Sequence, residues 1–533
     1  MTQERLKAIR AAVALVVFVP AAAMFIDFGR LVPAALAHAV GTTQFVPLLF
    51  HSATVAGALV PVALIVLVTL LFGRVYCSTL CPLGTLQDAV IRLSTTRRRR
   101  RRFRFSRPLT KTHLTLVALV GAFAVGGNLL VLGLVEPFSI FGRIQSGLAR
   151  PLVALGVNGI AALLGRLHVY AVAPLQLPTG QLAVVLLATG YLCGVVALSY
   201  AKGRLFCNLL CPTGAILGLL ARASRYKVAI DEQRCSGCRL CEKVCKARCI
   251  DSDRRRVDFA ACVACYNCIG VCPHDGIKYS TAAAPRENRE TIATDAAIGR
   301  GLRTMGDGSG APVDPTRRQA LRNVVLAATG VMLAPAAVLP TTRHPAKTRP
   351  ITPPGSQNVE RFTTRCTACQ LCVGVCPTQV LQPALFAYGL TGIAQPQMIY
   401  DEGSCVYDCN LCGQICPTSA ILQVAVADKQ RLQVGVARFV RDDCVVSTKH
   451  TACGACSEHC PTKAVNMVPF EGTLRIPQID EELCIGCGAC EHPCPTRPNK
   501  AIFVEARATH GLARKPVPKQ LVNPLPGDRD FPF

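Results

Sequence analysis

Thirty cysteines at metal-ligand spacing constrain this 533-residue chain more than any other feature of its sequence. Twenty-four of them form six motifs of four, in which the cysteines are mostly separated by two, two and three residues. Three close thiolates with a fourth beyond them are typical of [4Fe–4S] ferredoxin loops, whereas zinc sites use two Cys-x2-Cys pairs. The spacing therefore predicts six [4Fe–4S] clusters rather than zinc sites or disulfides.

The first two motifs lie in the middle of the chain and predict a two-cluster ferredoxin-like domain. They comprise Cys235, Cys238, Cys241 and Cys245, followed by Cys262, Cys265, Cys268 and Cys272. In bacterial ferredoxins the fourth cysteine of each motif binds the other cluster, so Cys272 should complete the first cluster and Cys245 the second. Lys246 replaces the usual proline after the fourth cysteine. Cys249 is an extra thiol that could compete with Cys245 as a ligand.

Four further motifs lie between residues 366 and 494. They comprise Cys366, Cys369, Cys372 and Cys376; Cys405, Cys409, Cys412 and Cys416; Cys444, Cys453, Cys456 and Cys460; and Cys484, Cys487, Cys490 and Cys494. The second motif carries one extra residue at its start, and the third carries a longer insertion. The motifs could pair sequentially, or they could nest, first with fourth and second with third. Spacing alone does not decide, although the enlarged middle motifs resemble the nested arrangement of four-cluster electron-transfer subunits.

A twelve-residue segment occurs twice, 130 positions apart. Residues 73–84 read GRVYCSTLCPLG, and residues 203–214 read GRLFCNLLCPTG. The cysteines of each copy are four residues apart, which places them on one face of a helical turn. The two copies could supply one further metal or redox site, made of Cys77, Cys81, Cys207 and Cys211. The alternatives are reduced, partly buried thiols or a redox pair in a tight turn. Cys193 is interpreted as a packing residue.

The composition indicates membrane segments beside the cysteine motifs. Only 17% of the residues are charged and the mean hydropathy is +0.36, whereas soluble domains carry about 25% charged residues. Four apolar runs approach the roughly 20 residues that a membrane helix needs. They are residues 11–26, 55–72, 114–135 and 182–200. We expect a four-helix transmembrane module in which residues 151–165 form a re-entrant or interfacial segment.

Basic residues set the expected orientation of these helices. Arginines follow the second run at residues 97–107, and a second basic group follows the fourth run at residues 202–227. The positive-inside rule places both groups and the N-terminus in the cytoplasm. The net charge of +26 is therefore interpreted as a topology signal, and no nucleic-acid partner is expected. Clusters bound by thiolates would offset part of that charge.

A second membrane signal precedes the last four motifs. Residues 316–340 contain Arg317 and Arg318 before an apolar run and resemble a twin-arginine export signal. Because clusters are built in a reducing cytoplasm, such a signal would carry the C-terminal module across the membrane already folded. The alternatives are an ordinary fifth helix or a segment that never crosses, and Ala334-Pro335-Ala336 resembles a cleavage site. The resulting expectation is a multi-pass protein of the bacterial inner membrane with a periplasmic C-terminal module.

The expected fold class is mixed, with a helical membrane module and ferredoxin-like α+β domains. The expected domains are 1–222, the transmembrane module; 223–280, the cytoplasmic two-cluster domain; 281–315, a linker; 316–340, the twin-arginine-like segment or fifth helix; 341–510, the four-cluster module; and 511–533, a proline-rich tail.

These motifs resemble a known group of electron-transfer proteins. Residues 1–280 resemble the NapH-type membrane quinol dehydrogenases, with NosR and MauN, and residues 316–500 resemble the NapG and MauM polyferredoxins. The resemblance implies quinol oxidation and electron transfer through [4Fe–4S] clusters to a periplasmic or membrane redox partner, a cytochrome or a reductase. Copper reductases of the CcoG type share the N-terminal architecture, so the resemblance does not fix the substrate.

The leading hypothesis is thus a membrane-bound quinol dehydrogenase or electron-transfer subunit. Glu136 is a candidate proton acceptor for quinol, and its alternative is a solvated loop acid. The sequence contains no Cys-x2-Cys-His motif for c-type haem and no nucleotide or flavin motif. The competing hypotheses are a maturation or metal-handling factor for a client metalloenzyme, with the membrane cysteines as its site, and a scaffold that anchors a reductase.

Overall fold

The computed structural model describes residues 3–28, 31–52, 59–97, 103–106, 110–175, 182–281 and 349–515. The twin-arginine-like segment, nearly all of the expected linker and the tail beyond residue 515 lie outside these residues. The chain divides into two compact units. Unit one is Met1–Thr342, Glu360–Gln397 and Leu411–Gln423, and unit two is Arg343–Val359, Met398–Asn410 and Val424–Phe533. Residues of the expected 341–510 module therefore belong to both units.

The first half of unit one is helical. Its helices are α1 (Gln3–Ile26), α2 (Ala34–Thr42), α3 (Phe45–Ser52), α4 (Leu59–Phe72), α5 (Tyr76–Thr79), α6 (Pro82–Arg97), α7 (Thr110–Val125), α8 (Leu130–Val135), α9 (Pro137–Ile144), α10 (Arg150–Arg166), α11 (Leu182–Lys202), α12 (Leu205–Leu209) and α13 (Pro212–Ala221). One π-helical turn, Gln145–Ala149, joins α9 to α10. Within the described residues, three helices are long and apolar enough to cross a membrane. They are Arg5–Ile26, Pro137–Arg166 and Leu182–Lys202.

Two expected membrane elements differ from the structure. The third apolar run, 114–135, is not one helix, because α7 ends at Val125 and α8 begins at Leu130. Gly127 between them has φ +79°, a left-handed conformation that glycine adopts readily. The stretch 151–165, expected to be re-entrant, belongs to the 30-residue helical span Pro137–Arg166. Counting apolar residues missed this span because its first half contains arginines that the fold buries.

Cys193 also differs from expectation. Its side chain is exposed on α11 instead of packing inside the unit. The neighbouring Tyr191 and Val195 are buried, so Cys193 lies on the opposite face of the helix.

The central motifs form a small α+β domain within unit one. Strand β1 (Lys227–Ile230) pairs antiparallel with β4 (Ile277–Ser280), and β2 (Ile250–Asp251) pairs with β3 (Arg256–Val257). Helix α14 (Leu240–Val244) and a 3-10 turn, Ile269–Val271, follow the cysteine loops. Each loop is thus held between a strand and a short helix. We call residues 227–281 the central domain.

The remaining motifs lie among short helices and strands. These elements are α15 (Val359–Thr363), α16 (Leu371–Val375), β5 (Leu381–Ala384), β6 (Gln395–Met398), α17 (Leu411–Ile415), α18 (Val426–Lys429), β7 (Leu432–Phe439), α19 (Val445–Lys449), α20 (Ala455–Glu458), β8 (Val465–Pro469), β9 (Arg475–Ile479) and β10 (Ile502–Leu512). In unit two, β7 pairs antiparallel with β10, and β8 pairs with β9. Val436, Val465 and Ile502 are buried in the core of this unit around its cysteines.

Candidate iron–sulfur centres

Four of the six motifs share one backbone conformation. In the motifs that begin at Cys235, Cys262, Cys366 and Cys484, the residues on either side of the second cysteine both have positive φ. These pairs are Gly237 and Arg239, Ala264 and Tyr266, Ala368 and Gln370, and Gly486 and Gly488. A left-handed residue on each side of a cysteine turns neighbouring backbone N–H groups toward one point, as in an anion-binding concavity. The N–H groups of Ala264, Ala368 and Gly486 accordingly donate to the sulfurs of Cys262, Cys366 and Cys484.

The two enlarged motifs are built differently. The loops Cys405–Cys412 and Cys453–Cys456 are fully described and contain no residue with positive φ. The extra residues at the start of each motif change the path of the backbone before the later cysteines. The shared conformation thus follows the regular Cys-x2-Cys-x2-Cys spacing.

The first central motif encloses a cavity lined by the thiols predicted to bind one cluster. Cys235, Cys238, Cys241 and Cys272 all line it, together with apolar side chains such as Ile230 and Ile277. The Gly276 N–H donates to Cys272 Sγ at 3.3 Å. Four converging thiols in an apolar cavity fit the donor set of a [4Fe–4S] cluster.

The second central group contains the other fourth cysteine. Cys268 interacts electrostatically with Cys262, Cys265 and Cys245, as expected if the fourth cysteine of the first motif crosses to the second. Cys245 is 5% exposed and Cys268 9% exposed, so this group lies inside the domain.

The last four motifs group sequentially. In unit one, Cys416 lies in electrostatic contact with Cys366, Cys369 and Cys372. In unit two, Cys460 is grouped with the three leading cysteines of the last motif, which are Cys484, Cys487 and Cys490. Cys494 interacts in turn with Cys456. The positions of these three fourth cysteines favour sequential pairing over the nested arrangement that the enlarged motifs resemble.

The two copies of the repeated segment meet in unit one. Cys77, Cys81, Cys207 and Cys211 are each at most 5% exposed, and Cys211 interacts electrostatically with the other three. We call these four residues the repeat thiol group. Proline after the second cysteine of each copy begins a helix, α6 or α13. Cys211 caps α13, since its Sγ accepts the Gly214 N–H at 3.3 Å.

Two fully buried arginines cross between the copies. Arg74 donates to the carbonyl oxygen of Cys207 at 3.1 Å, and its guanidinium lies 3.9 Å from Cys77 Sγ. Arg204 does the reverse, donating to the Cys77 carbonyl at 2.8 Å and lying 3.9 Å from Cys207 Sγ. Each arginine therefore faces the sulfur of its own copy and binds the backbone of the other copy. The Gly-Arg pair at the start of both copies is visible in the sequence. That each arginine binds the backbone of the other copy is seen only in the fold.

The glycines that end the copies make this crossing possible. A Cβ on Gly84 would lie 2.4 Å from the Cys77 carbonyl oxygen, and one on Gly214 would lie 2.1 Å from the Cys207 carbonyl oxygen. The same two Cβ atoms would lie 2.7 Å and 2.9 Å from the guanidinium groups of Arg204 and Arg74. No larger residue fits at either position without displacing backbone.

Cations outnumber anions around the repeat thiol group. Asp88 pairs with Arg204 at 2.8 Å, Arg10 at 3.1 Å and Lys246 at 3.3 Å. Burial opposes the ionisation of Asp88, but these three cations together lower its pKa to about 2. Among the ion pairs of the described residues, this one carboxylate faces three cations, and Arg74 adds a fourth beside the thiols. Buried charge needs compensation, and thiolate ligands of a metal centre would supply it.

Within the described residues, no group of three or more His, Cys, Asp or Glu is arranged to hold a single metal ion. Four cysteine thiols converge in the repeat thiol group, and thiolates are the ligands of iron–sulfur centres.

Glu136 is neither a solvated loop acid nor a free proton acceptor. It is 1% exposed and caps α9, where its Oε1 accepts the Phe138 N–H at 3.0 Å and its Oε2 accepts the Ser139 N–H. Proline at the first position of the helix makes this a strong start signal. Both carboxylate oxygens are therefore engaged in the fold.

Helix α1 connects two of the thiol groups. Near its start, Arg10 donates to the Ser78 carbonyl at 3.3 Å, within the first repeated segment. Near its end, Phe25 packs beside Gly374 in α16, where an added Cβ would lie 3.6 Å from the Phe25 Cα. Fifteen residues of helix at 1.5 Å each separate these points by about 22 Å. The repeat thiol group and the Cys366–Cys416 group therefore lie toward opposite ends of α1.

A cleft opens beside the repeat thiol group. It is lined by apolar side chains of α7, α12 and α13, by His113 and Asp258, and by the cations Lys202, Arg222 and Arg248. His113 Nε2 lies 2.9 Å from the Cys211 carbonyl oxygen. Asp258 Oδ1 accepts the Ala260 N–H at 3.0 Å, while its Oδ2 is buried with no hydrogen-bond partner among the described residues. The sequence alone did not identify Asp258, because an acidic residue before a cysteine loop is not part of a recognised motif.

Known protein families match both classes of site. The 4Fe-4S binding domain family matches residues 54–105 and 185–230, which contain the repeat thiol group. The 4Fe-4S dicluster domain family matches residues 451–497, in the last two motifs. No solved structure is significantly similar to the chain.

Three relatives cover parts of the chain. An uncharacterized protein of Methanocaldococcus jannaschii is 33% identical over 85 residues, which are 16% of this chain and 34% of that protein. The methylamine utilization ferredoxin-type protein MauM of Methylophilus methylotrophus is 30% identical over 183 residues, covering 32% of this chain and 79% of MauM. The ferredoxin-type protein NapG of Escherichia coli K12 is 30% identical over 152 residues, covering 27% of this chain and 63% of NapG. The chain thus spans a third of the first relative, most of MauM and less than two thirds of NapG.

Proposed function

We infer the function from one premise: the chain belongs to the family of ferredoxin-type 4Fe-4S proteins that includes MauM. It is an iron–sulfur electron-transfer protein with helices long and apolar enough to span a membrane. We propose more specifically that residues 1–280 act as a NapH-type module that oxidises quinol, and that the last four motifs deliver electrons to a redox partner.

The placement of thiol groups along α1 carries this proposal. Lys246 of the central domain and Arg10 of α1 meet at Asp88, next to the repeat thiol group. The Cys366–Cys416 group lies at the other end of the same helix. The repeat thiol group thus lies between the central domain and the Cys366–Cys416 group along the chain's fold, which supports a path of electrons from one to the other.

The chain's own residues define the expected cofactor sites. Six ferredoxin-type groups would hold [4Fe–4S] clusters, with Cys245 and Cys272 exchanged in the central domain and sequential exchange in the last four motifs. The repeat thiol group would hold a further iron–sulfur centre, with Arg74 and Arg204 compensating its negative charge. Bound clusters supply one-electron transfer at potentials set by hydrogen bonds, charge and burial.

The cleft beside Cys211 is the proposed quinol site. Its walls are largely apolar, as a quinone ring requires. Asp258 supplies a buried carboxylate oxygen that has no hydrogen-bond partner among the described residues, which suits a proton acceptor. This residue replaces Glu136 as the candidate base.

The proposed topology follows from the basic residues and the twin-arginine-like segment. The central domain would face the cytoplasm, and the last four motifs would face the periplasm, where a cytochrome or reductase would accept electrons. The membrane would be the bacterial inner membrane.

Asp258→Asn tests the quinol site directly. The full chain is reconstituted in liposomes with a short-chain quinol, and cluster reduction is followed by visible absorbance. We expect the substitution to slow quinol-driven reduction about 100-fold, the loss typical of a missing general base. Reduction by dithionite should not change.

Asp231→Asn is the matched control. Asp231 precedes Cys235 as Asp258 precedes Cys262, and its Oδ1 makes the equivalent bond to the Gln233 N–H, but it does not line the cleft. It should leave the quinol rate unchanged. Equal rates of quinol-driven reduction in the wild type and both variants would show that the cleft is not the quinol site. Unchanged absorbance of the wild type would show that quinol is not the electron donor. Loss of a client enzyme's cofactor without any quinol reaction would favour the maturation hypothesis.

A further inference from the structure

The central domain holds one thiol more than two cubanes need. Cys249 is 3% exposed, and its Sγ lies 3.5 Å from Cys245 Sγ. It also hydrogen-bonds to Cys262. An extra thiol therefore contacts two of the four residues assigned to one cluster.

A tight turn brings Cys249 to this position. Arg248 has φ +57°, and its N–H donates to the Cys245 carbonyl at 3.1 Å, so the chain reverses between the two cysteines. The Cys249 carbonyl then accepts the Asp258 N–H at 2.8 Å. Proline, usual after the fourth cysteine of such motifs, is replaced here by Lys246.

The same turn is anchored to the repeated segments. The Arg204 N–H donates to the Lys246 carbonyl at 2.9 Å, and Asn208 donates to the Ala247 carbonyl at 3.2 Å. Both contacts hold the peptides between the two cysteines. The backbone of this turn is thus fixed, and the two sulfurs that it carries lie 3.5 Å apart.

We propose that Cys249 is an alternative ligand that takes the place of Cys245 at the cluster site of Cys262, Cys265 and Cys268. The proposal rests on the assignment of a cluster to that group. In the exchange, an iron–sulfur bond to Cys245 breaks and one to Cys249 forms. The proton released by the Cys249 thiol passes to Cys245, so charge and oxidation state are unchanged.

Alanine variants of the full chain test the exchange. We expect Cys245→Ala and Cys249→Ala each to keep the wild-type iron content, because the remaining thiol completes the site. The double variant should lose about four irons, the content of one cluster. The electron paramagnetic resonance spectra of the two single variants should differ, since the ligand approaches from a different residue.

Cys272→Ala is the matched control, because glycine stands four residues after Cys272 where Cys249 stands four after Cys245. This variant alone should lose about four irons. The irons retained at the other sites report whether each variant has folded. A Cys245→Ala or Cys249→Ala variant with the same loss as Cys272→Ala would overturn the exchange. A double variant with full iron content would instead overturn the cluster assignment.

Discussion

The ferredoxin loops and the repeat thiol group differ in the hydrogen-bond donors that face their cysteine sulfurs. In the regular loops, backbone N–H groups face the sulfurs, as Ala264 does for Cys262. In the repeat thiol group, buried guanidinium groups of Arg74 and Arg204 face Cys77 and Cys207. Backbone donors tolerate many side chains, whereas side-chain donors require particular residues. The repeat thiol group should therefore be the more sensitive of the two to substitution.

Arg204→Met should have the largest effect on stability. The substitution removes a fully buried cation that pairs with Asp88 and binds the Cys77 carbonyl. Breaking a buried pair on one side costs about 3–5 kcal/mol. Thermal unfolding in detergent measures the loss.

Arg239→Met is its counterpart in a ferredoxin loop. Arg239 follows Cys238 and pairs with Asp253 at the surface, where their side chains are 54% and 68% exposed. Exposed pairs contribute about 0–1 kcal/mol, so this variant should unfold close to the wild type. Equal losses of stability in Arg204→Met and Arg239→Met would contradict the claim that the repeat thiol group is the more sensitive site.

Gly214→Ala should cost less than Arg204→Met but remain clearly measurable. Its Cβ would lie 2.1 Å from the Cys207 carbonyl oxygen, and relieving such a clash costs about 1–3 kcal/mol. Gly237→Ala in a ferredoxin loop meets open space and is strained only by its φ of +70°, a cost of about 1 kcal/mol. The same unfolding experiment compares them, and a larger loss for Gly237→Ala would contradict the comparison.

Acid should weaken the fold around the repeat thiol group through Asp88. Its pKa of about 2 in the folded chain lies below the ordinary value of 3.8. The carboxylate therefore stabilises the fold above about pH 4, and this contribution of about 2 kcal/mol is lost as the pH falls toward 2. Asp88→Asn should lack this part of the pH dependence, and an identical acid profile would show that Asp88 contributes nothing.

The ferredoxin-type groups are the part of the site that spacing predicts best. Cys-x2-Cys-x2-Cys places three thiols in one loop by local geometry, and the structure groups Cys245 with the second central motif as expected. Pairing among the last four motifs is not local, so spacing left it open.

The rest depends on contacts between distant residues. Arg74 and Arg204 lie 130 positions apart, and nothing in either segment alone shows that each binds the other copy. From the sequence, Glu136 was considered as a loop acid. In the structure it precedes Pro137 and caps the helix that begins there. The helix Pro137–Arg166 was missed because burial of its arginines, such as Arg143, follows from tertiary packing.

The most direct test of the account is the iron content of the repeat thiol group. The anaerobically purified full chain is compared with a variant in which Cys77, Cys81, Cys207 and Cys211 are all serine, and Cys193→Ser is the control. Seven four-iron centres predict about 28 irons per chain for the wild type and the control, and about 24 for the quadruple variant. Equal iron in all three proteins would contradict the account, because the arginines would then compensate no iron–sulfur centre.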